Sequence, residues 1–222
     1  MSKVKITLPP YSRREEILNM TTHILGGAFG IVALFFCVLK SFLQWNPWAI
    51  TGSFVYGVSI ILLFTMSSIY HGLIPIKAKK VFRVIDHCTI YLLIAGTYTP
   101  IVLVSLRTVS AFWAWLVFGI VWGSAIFAIT LTAIDMNRFR VFSMVSYLAM
   151  GWCILICLKD CITAVGGSGM LLIFYGGVLY TIGAVIYAIG KKKKLDYAHT
   201  IFHIFVLFAC ILHFLAIYFY VL

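Results

Sequence analysis

The sequence predicts an all-α, polytopic membrane protein with seven transmembrane helices, its N-terminus cytoplasmic and its C-terminus outside. Three observations predict this. Of 222 residues, 63% are hydrophobic and 10% charged, far more apolar surface than a water-soluble core consumes. The apolar residues fall into seven runs of roughly 18–25 residues, each able at 1.5 Å per residue to cross about 30 Å of hydrocarbon. Basic residues gather between alternate runs. The runs are 22–40, 48–70, 84–106, 111–134, 141–158, 169–190 and 198–222. Residues 1–21 then form a cytoplasmic N-terminal segment and residues 22–222 one seven-helix domain.

The orientation comes from charge. Lys3, Lys5, Arg13 and Arg14 precede the first span; Lys77, Lys79, Lys80 and Arg83 join spans two and three; Arg138 and Arg140 join four and five; Lys191 to Lys194 join six and seven. Only Lys40, Arg107 and Lys159 fall on the other side. The positive-inside rule makes the first side cytoplasmic. The net charge of +11 therefore marks orientation and contact with anionic lipid, and nucleic acid is not expected as a partner.

Span one, "THILGGAFGIVALFFCVLK", follows a polar start and has no small-residue cleavage site after it, so it reads as retained. Its Gly26/Gly30 pair, like Gly119/Gly123 in span four, is expected to let helices pack closely. Span two opens at "WNPW" (Trp45 to Trp48) and span four at "FWAW" (Phe112 to Trp115), while "YFY" (Tyr218 to Tyr220) closes span seven. All three lie at the outer interface, as an aromatic belt would. Pro100 falls inside span three, removes a backbone hydrogen bond and should kink it, with room for a lateral cavity beside the kink. Cys153, Cys157 and Cys161 lie one turn apart along span five and read as small packing residues.

Ionisable groups near hydrocarbon are expensive, so their positions carry information. His71 ends span two in "SSIYH", Asp86 and His87 open span three in "RVIDH", and His199 and His203 open span seven in "AHTIFH". All lie at the cytoplasmic level, and His199 and His203, four apart, share a helix face. His71, His199 and His203 would give three neutral nitrogen ligands with a fourth position for water, the pattern of a catalytic zinc site. Asp86 is placed to take or hold that water's proton, although it is equally placed to pair with Arg83 or to N-cap span three. Ser67, one turn deeper than His71, would orient Asp86, the water or a substrate carbonyl. His213 lies about 15 Å deeper than His203 and is turned roughly 80° from it; a hydrogen bond to a neighbouring helix is expected. His87 points away from Asp86 and is not expected as a ligand. Glu16 and His23, two turns apart on span one, are placed at the rim.

Other seven-helix chemistries are excluded. A retinal Schiff base needs a lysine in span seven, and none lies between His199 and Leu222. A membrane haem needs paired histidines at one depth, and a di-metal carboxylate centre needs more acids than Asp86 at the site.

The segments "SSIYH", "DHCTIYLLIAGTYTP" and "HTIFH", in that order, resemble the bacterial hemolysin III family, within the progestin and adiponectin receptor-like membrane proteins. "EILNMTTH", with Glu16, Asn19 and His23, is similar to the family's opening helix. The resemblance implies zinc held by His71, His199 and His203 and a water near Asp86 and Ser67. The wider superfamily includes ceramidase-like enzymes, which implies hydrolysis of an acyl-amide lipid in the cell membrane. The family name implies lysis or a pore instead, and a non-enzymatic sensor or regulator of the membrane with structural zinc is the further alternative.

Overall fold

A computed structural model describes residues 6–222; Lys3 and Lys5 of the charge argument lie outside the described residues. Seven helices are long and apolar enough to cross a membrane: α1 (Arg13–Leu43), α2 (Pro47–Gly72), α3 (Ile76–Val109), α4 (Ala111–Asp135), α5 (Arg140–Val165), α6 (Gly167–Lys193) and α7 (Ala198–Val221). The apolar window of α3 is 78% buried, against 28–50% for the other six, so α3 is the central helix. α1 packs on α2 and α7, α2 on α3, α3 on α4, and α6 on α7. Large apolar side chains such as Phe35, Ile126, Phe127 and Leu171 are exposed on the outer faces, the surface a lipid-solvated bundle presents.

The helix starts follow local chemistry. α1 begins nine residues before its expected apolar run, because Ser12 and Glu15 form a capping box: Ser12 Oγ accepts from the Glu15 amide, and Glu15 Oε2 accepts from the Ser12 amide at 2.9 Å. Pro47 opens α2 behind Asn46, whose side chain accepts from the amides of Trp48 and Ala49. α3 starts at Ile76 rather than near 84, with Pro75 at its N-cap. Its basic first turns are therefore helical, and Asp86 sits well inside the helix, not at its cap.

Two spans are irregular. After Pro100, α3 continues as a π-helical stretch, Ile101–Leu106, which accommodates the missing proline N–H. α5 is broken: helix to Gly151, a 3-10 segment Cys153–Cys157, then helix again from Leu158 to Val165, past its expected end. Tyr98 of α3 splices the break. Its hydroxyl donates to the Gly151 carbonyl at 2.8 Å and accepts from the Ile154 amide at 3.0 Å. The cysteines are free thiols; Cys153, Cys157 and Cys161 are buried, with the Cys157 and Cys161 sulfurs 3.5 Å apart.

Glycines allow α1 and α2 to approach closely. A Cβ on Gly26 would stand 2.2 Å from Phe64, and one on Gly57 2.6 Å from Leu34 Cβ and 2.7 Å from its Cα. The expectation for Gly26/Gly30 holds, but that for Gly119/Gly123 does not. Nothing lies within 4 Å of a Cβ at either position, because that face of α4 is turned away from the bundle. Gly57→Ala should therefore destabilise the protein by about 1–3 kcal/mol through overpacking. Gly119→Ala should stay within about 0.5 kcal/mol of the parent. Denaturant unfolding in micelles, read by circular dichroism, checks both.

Candidate metal centre

The last turn of α2 delivers His71, and the first two turns of α7 deliver His199 and His203. α7 can start abruptly there because Tyr197 adopts a left-handed conformation (φ 59°) and its amide donates to Glu15 Oε1 at 2.9 Å. The three imidazoles are 3%, 8% and 1% exposed, and one nitrogen of each lies within 4.8 Å of the others. Nε2 of His199 and Nε2 of His203 are 3.1 Å apart.

The protonation pattern follows from the partners. His71 Nδ1 lies 2.6 Å from Glu16 Oε2, and His203 Nδ1 lies 3.3 Å from the Asn19 carbonyl. A carboxylate and a carbonyl only accept, so both Nδ1 atoms carry the proton and both Nε2 atoms present lone pairs. His71 Nε2 is buried with no partner. His199 Nε2 can donate to His203 Nε2, but the buried imine nitrogen of His71 has no donor, which is costly unless a cation supplies the missing interaction. This donor set fits a divalent metal ion; among the described residues it is the group of His, Cys, Asp and Glu able to hold one.

Asp86 is 7% exposed and has His71, Ser67 and Arg83 as its electrostatic neighbours. Its pairing with Arg83 is not made within ion-pair distance: an Arg83 terminal nitrogen donates instead to the Thr7 carbonyl. His87 lies outside the cluster, its Nδ1 at 2.9 Å from the Arg83 carbonyl and 3.8 Å from Asp86 Oδ2. Ser67 is fully buried, and its hydroxyl is directed at the Asp86 carboxylate. His213 lies apart, its Nε2 donating to the Ile173 carbonyl of α6 at 3.1 Å, as expected for a helix-to-helix bond.

α1 contributes more than a rim. Glu16, Asn19 and His23 line one face at helical spacing. Glu16 holds His71, and Asn19 holds both His203 through its carbonyl and Thr200 through Oδ1, at 2.6 Å. The His23 ring stacks on His203 with centroids 3.6 Å apart and planes 17° from parallel. Sequence reasoning missed the covering strap altogether. Tyr11 stacks on His199 at 5.1 Å, nearly parallel, and stands 6.0 Å from His71. Burial holds its phenol above its ordinary pKa, so it stays neutral.

A cavity of about 600 Å³ opens beside the cluster, with Ser67, Asp86, His199 and His203 at one end and Leu93, Ile94 and Val206 along its wall. A second, of about 360 Å³, adjoins it around Trp152 and is walled by Ile154, Leu155, Met170 and Phe174. Pro100 lines neither; it packs against Gly52 of α2, where an added Cβ would be 2.8 Å from its Cα. The room lies one turn earlier, at Thr97 and Tyr98.

Comparison with known proteins agrees with this architecture. The family described as Haemolysin-III related matches residues 11–214. The chain is 36% identical over 209 residues to "Hemolysin-3" of Bacillus cereus, covering 94% of this chain and 93% of that protein. It is 36% identical over 197 residues to "Hemolysin-3 homolog" of Bacillus subtilis (strain 168), covering 89% and 90%. A more distant similarity, 26% over 213 residues, reaches "Monocyte to macrophage differentiation factor" of Homo sapiens, covering 91% and 83%. With its seven membrane-spanning helices, the chain belongs to the haemolysin-III related family of multi-pass membrane proteins.

Proposed function

We propose that the protein is a zinc-dependent hydrolase of an acyl-amide membrane lipid, working at the cytoplasmic level of the bilayer. The observation that carries this reading is the cavity, which is lined by two of the clustered imidazoles, the Asp86 carboxylate and the Ser67 hydroxyl, by apolar side chains such as Leu93, Ile94 and Val206, and by the basic Arg83, Arg140 and Lys191. Such a shape suits a lipid with its linkage at headgroup depth and its chains in the bundle. Three imidazoles favour zinc over other divalent ions. Zinc bound there supplies Lewis acidity toward the acyl carbonyl and acidifies a water for attack.

The chain's own groups do the rest. The Asp86 carboxylate takes the proton from the attacking water and returns it to the departing nitrogen. The Ser67 hydroxyl donates to Asp86 and holds that carboxylate in place. The strap from Thr7 to Tyr11, which also lines the cavity, limits the entry of bulk water at the polar end.

The test is release of fatty acid, measured by mass spectrometry, from ceramide-like and other acyl-amide lipids in mixed micelles with zinc-loaded protein. Asp86→Asn should keep its metal and lose at least about 100-fold in turnover. Equally negligible turnover by both proteins on every lipid would defeat the hydrolase. One observation favours a second reading, zinc as a staple: the clustered histidines come from α2 and α7, which each pack along α1. That reading expects Asp86→Asn to remain functional in cells while His203→Ala loses function and stability together.

A further inference from the structure

The carboxylate of Glu16 is doubly engaged. Oε2 accepts from His71 Nδ1 at 2.6 Å, and Oε1 lies 2.9 Å from Lys79 Nζ. The same ammonium donates to the carbonyls of His71, at 3.3 Å, and Leu73, at 3.2 Å. Three helices are thus joined at one point: Glu16 from the first turn of α1, His71 and its carbonyl from the end of α2, and Lys79 from the start of α3. The main chain beneath Glu16 is fixed, its amide donating to the Ser12 carbonyl at 3.0 Å inside the capped first turn.

This closed arrangement is more than a surface ion pair. The His71 side chain is fully buried and that of Glu16 is 18% exposed, so the His71–Glu16 contact is shielded from water and short, as charge-assisted bonds are. A carboxylate on Nδ1 fixes the imidazole tautomer, locks the ring's orientation and makes Nε2 more basic. Lys79 holds the second carboxylate oxygen and so keeps the first one directed at His71. Resting on the reading of the three imidazoles as a metal centre, we propose that Glu16, braced by Lys79, is a positioning residue that sets the metal affinity of His71. α1 then supplies no ligand yet tunes the site.

The experiment uses the full-length protein in detergent micelles. Zinc affinity is measured by competition with a chromophoric chelator, and the ligand field by the visible bands of the cobalt-substituted protein. Glu16→Gln, which keeps the size but not the charge, should raise the zinc Kd about 10–100-fold and shift the cobalt bands. The thermal midpoint of its metal-free form should match that of the wild type. Lys79→Met should move Kd the same way by less, and the double variant should be no weaker than Glu16→Gln alone, since both act through one contact.

A Glu16→Gln Kd within twofold of wild type overturns the proposal. So does a loss accompanied by unshifted cobalt bands and an equally weakened metal-free protein, which is what a structural role alone would give. Should Glu16→Gln fail to fold, Lys79→Met decides: an unchanged Kd counts against the brace, a raised one for it. A wild-type protein that binds no zinc would instead sink the metal centre itself, a distinguishable result.

Discussion

His203→Ala protein, purified with excess zinc and then desalted, is expected to carry no metal by elemental analysis, where the parent carries one ion per chain. Its Nε2 stands 3.1 Å from that of His199, so removing it leaves two imidazoles with no third to close the set. A loss of about a thousandfold in affinity, about 4 kcal/mol, is the expected scale. Stability should follow by linkage: zinc at about 1,000 times its Kd stabilises the folded parent by about 4 kcal/mol, and the variant should show no zinc-dependent shift in its thermal midpoint. The mutation also removes the ring on which His23 stacks and the donor to the Asn19 carbonyl, so the metal-free variant should itself melt earlier than the metal-free parent. Stoichiometric zinc retained by His203→Ala would refute the centre drawn here.

Tyr98→Phe should have an effect of comparable size with no metal involved. One hydroxyl serves both the Gly151 carbonyl and the Ile154 amide, on either side of the break in α5. Deleting it strands a donor and an acceptor inside a bundle where lipid offers no replacement, and each orphan is worth about 1–3 kcal/mol. The expected loss is about 2–4 kcal/mol in denaturant unfolding, with faster amide hydrogen exchange at Ile154 than at residues of the intact first half of α5. A variant that unfolds within about 0.5 kcal/mol of the parent would mean that the broken segment finds other partners. Neither phenotype should depend on the other, so the pair separates the stability of the bundle from the occupancy of the centre.

The number of spans was legible because a membrane demands length, and seven apolar runs supplied it. The polar extensions were less so. Arg13–Met20 has no apolar run of membrane length to announce it, yet the Ser12-x-x-Glu15 spacing of a capping box was readable and marks where α1 begins. The break in α5 was not readable, since "CILIC" is as apolar as the helix around it and depends on a tyrosine from α3. At the site, His71, His199 and His203 declared themselves through depth and spacing, and the structure brings their nitrogens together. Glu16, Asn19 and His23 had the right periodicity, but a backbone carbonyl acting on His203 leaves no mark in side-chain identity. Tyr11 left none either, because a residue outside the spans reaches His199 only through the path of the chain in three dimensions. The glycines divide by the same logic: spacing puts Gly119 and Gly123 on one face, and only packing decides that this face meets nothing.

The strap has a kinetic consequence. With Tyr11 laid flat on His199 and Arg83 gripping the Thr7 carbonyl, an ion reaching the proposed centre past the strap would meet an aromatic ring before a ligand. The lifting of a short peptide from the bundle would gate that route. Residence time would then depend on that peptide as well as on the imidazoles, and two proteins of equal equilibrium affinity would exchange metal at different speeds if one lacked the ring.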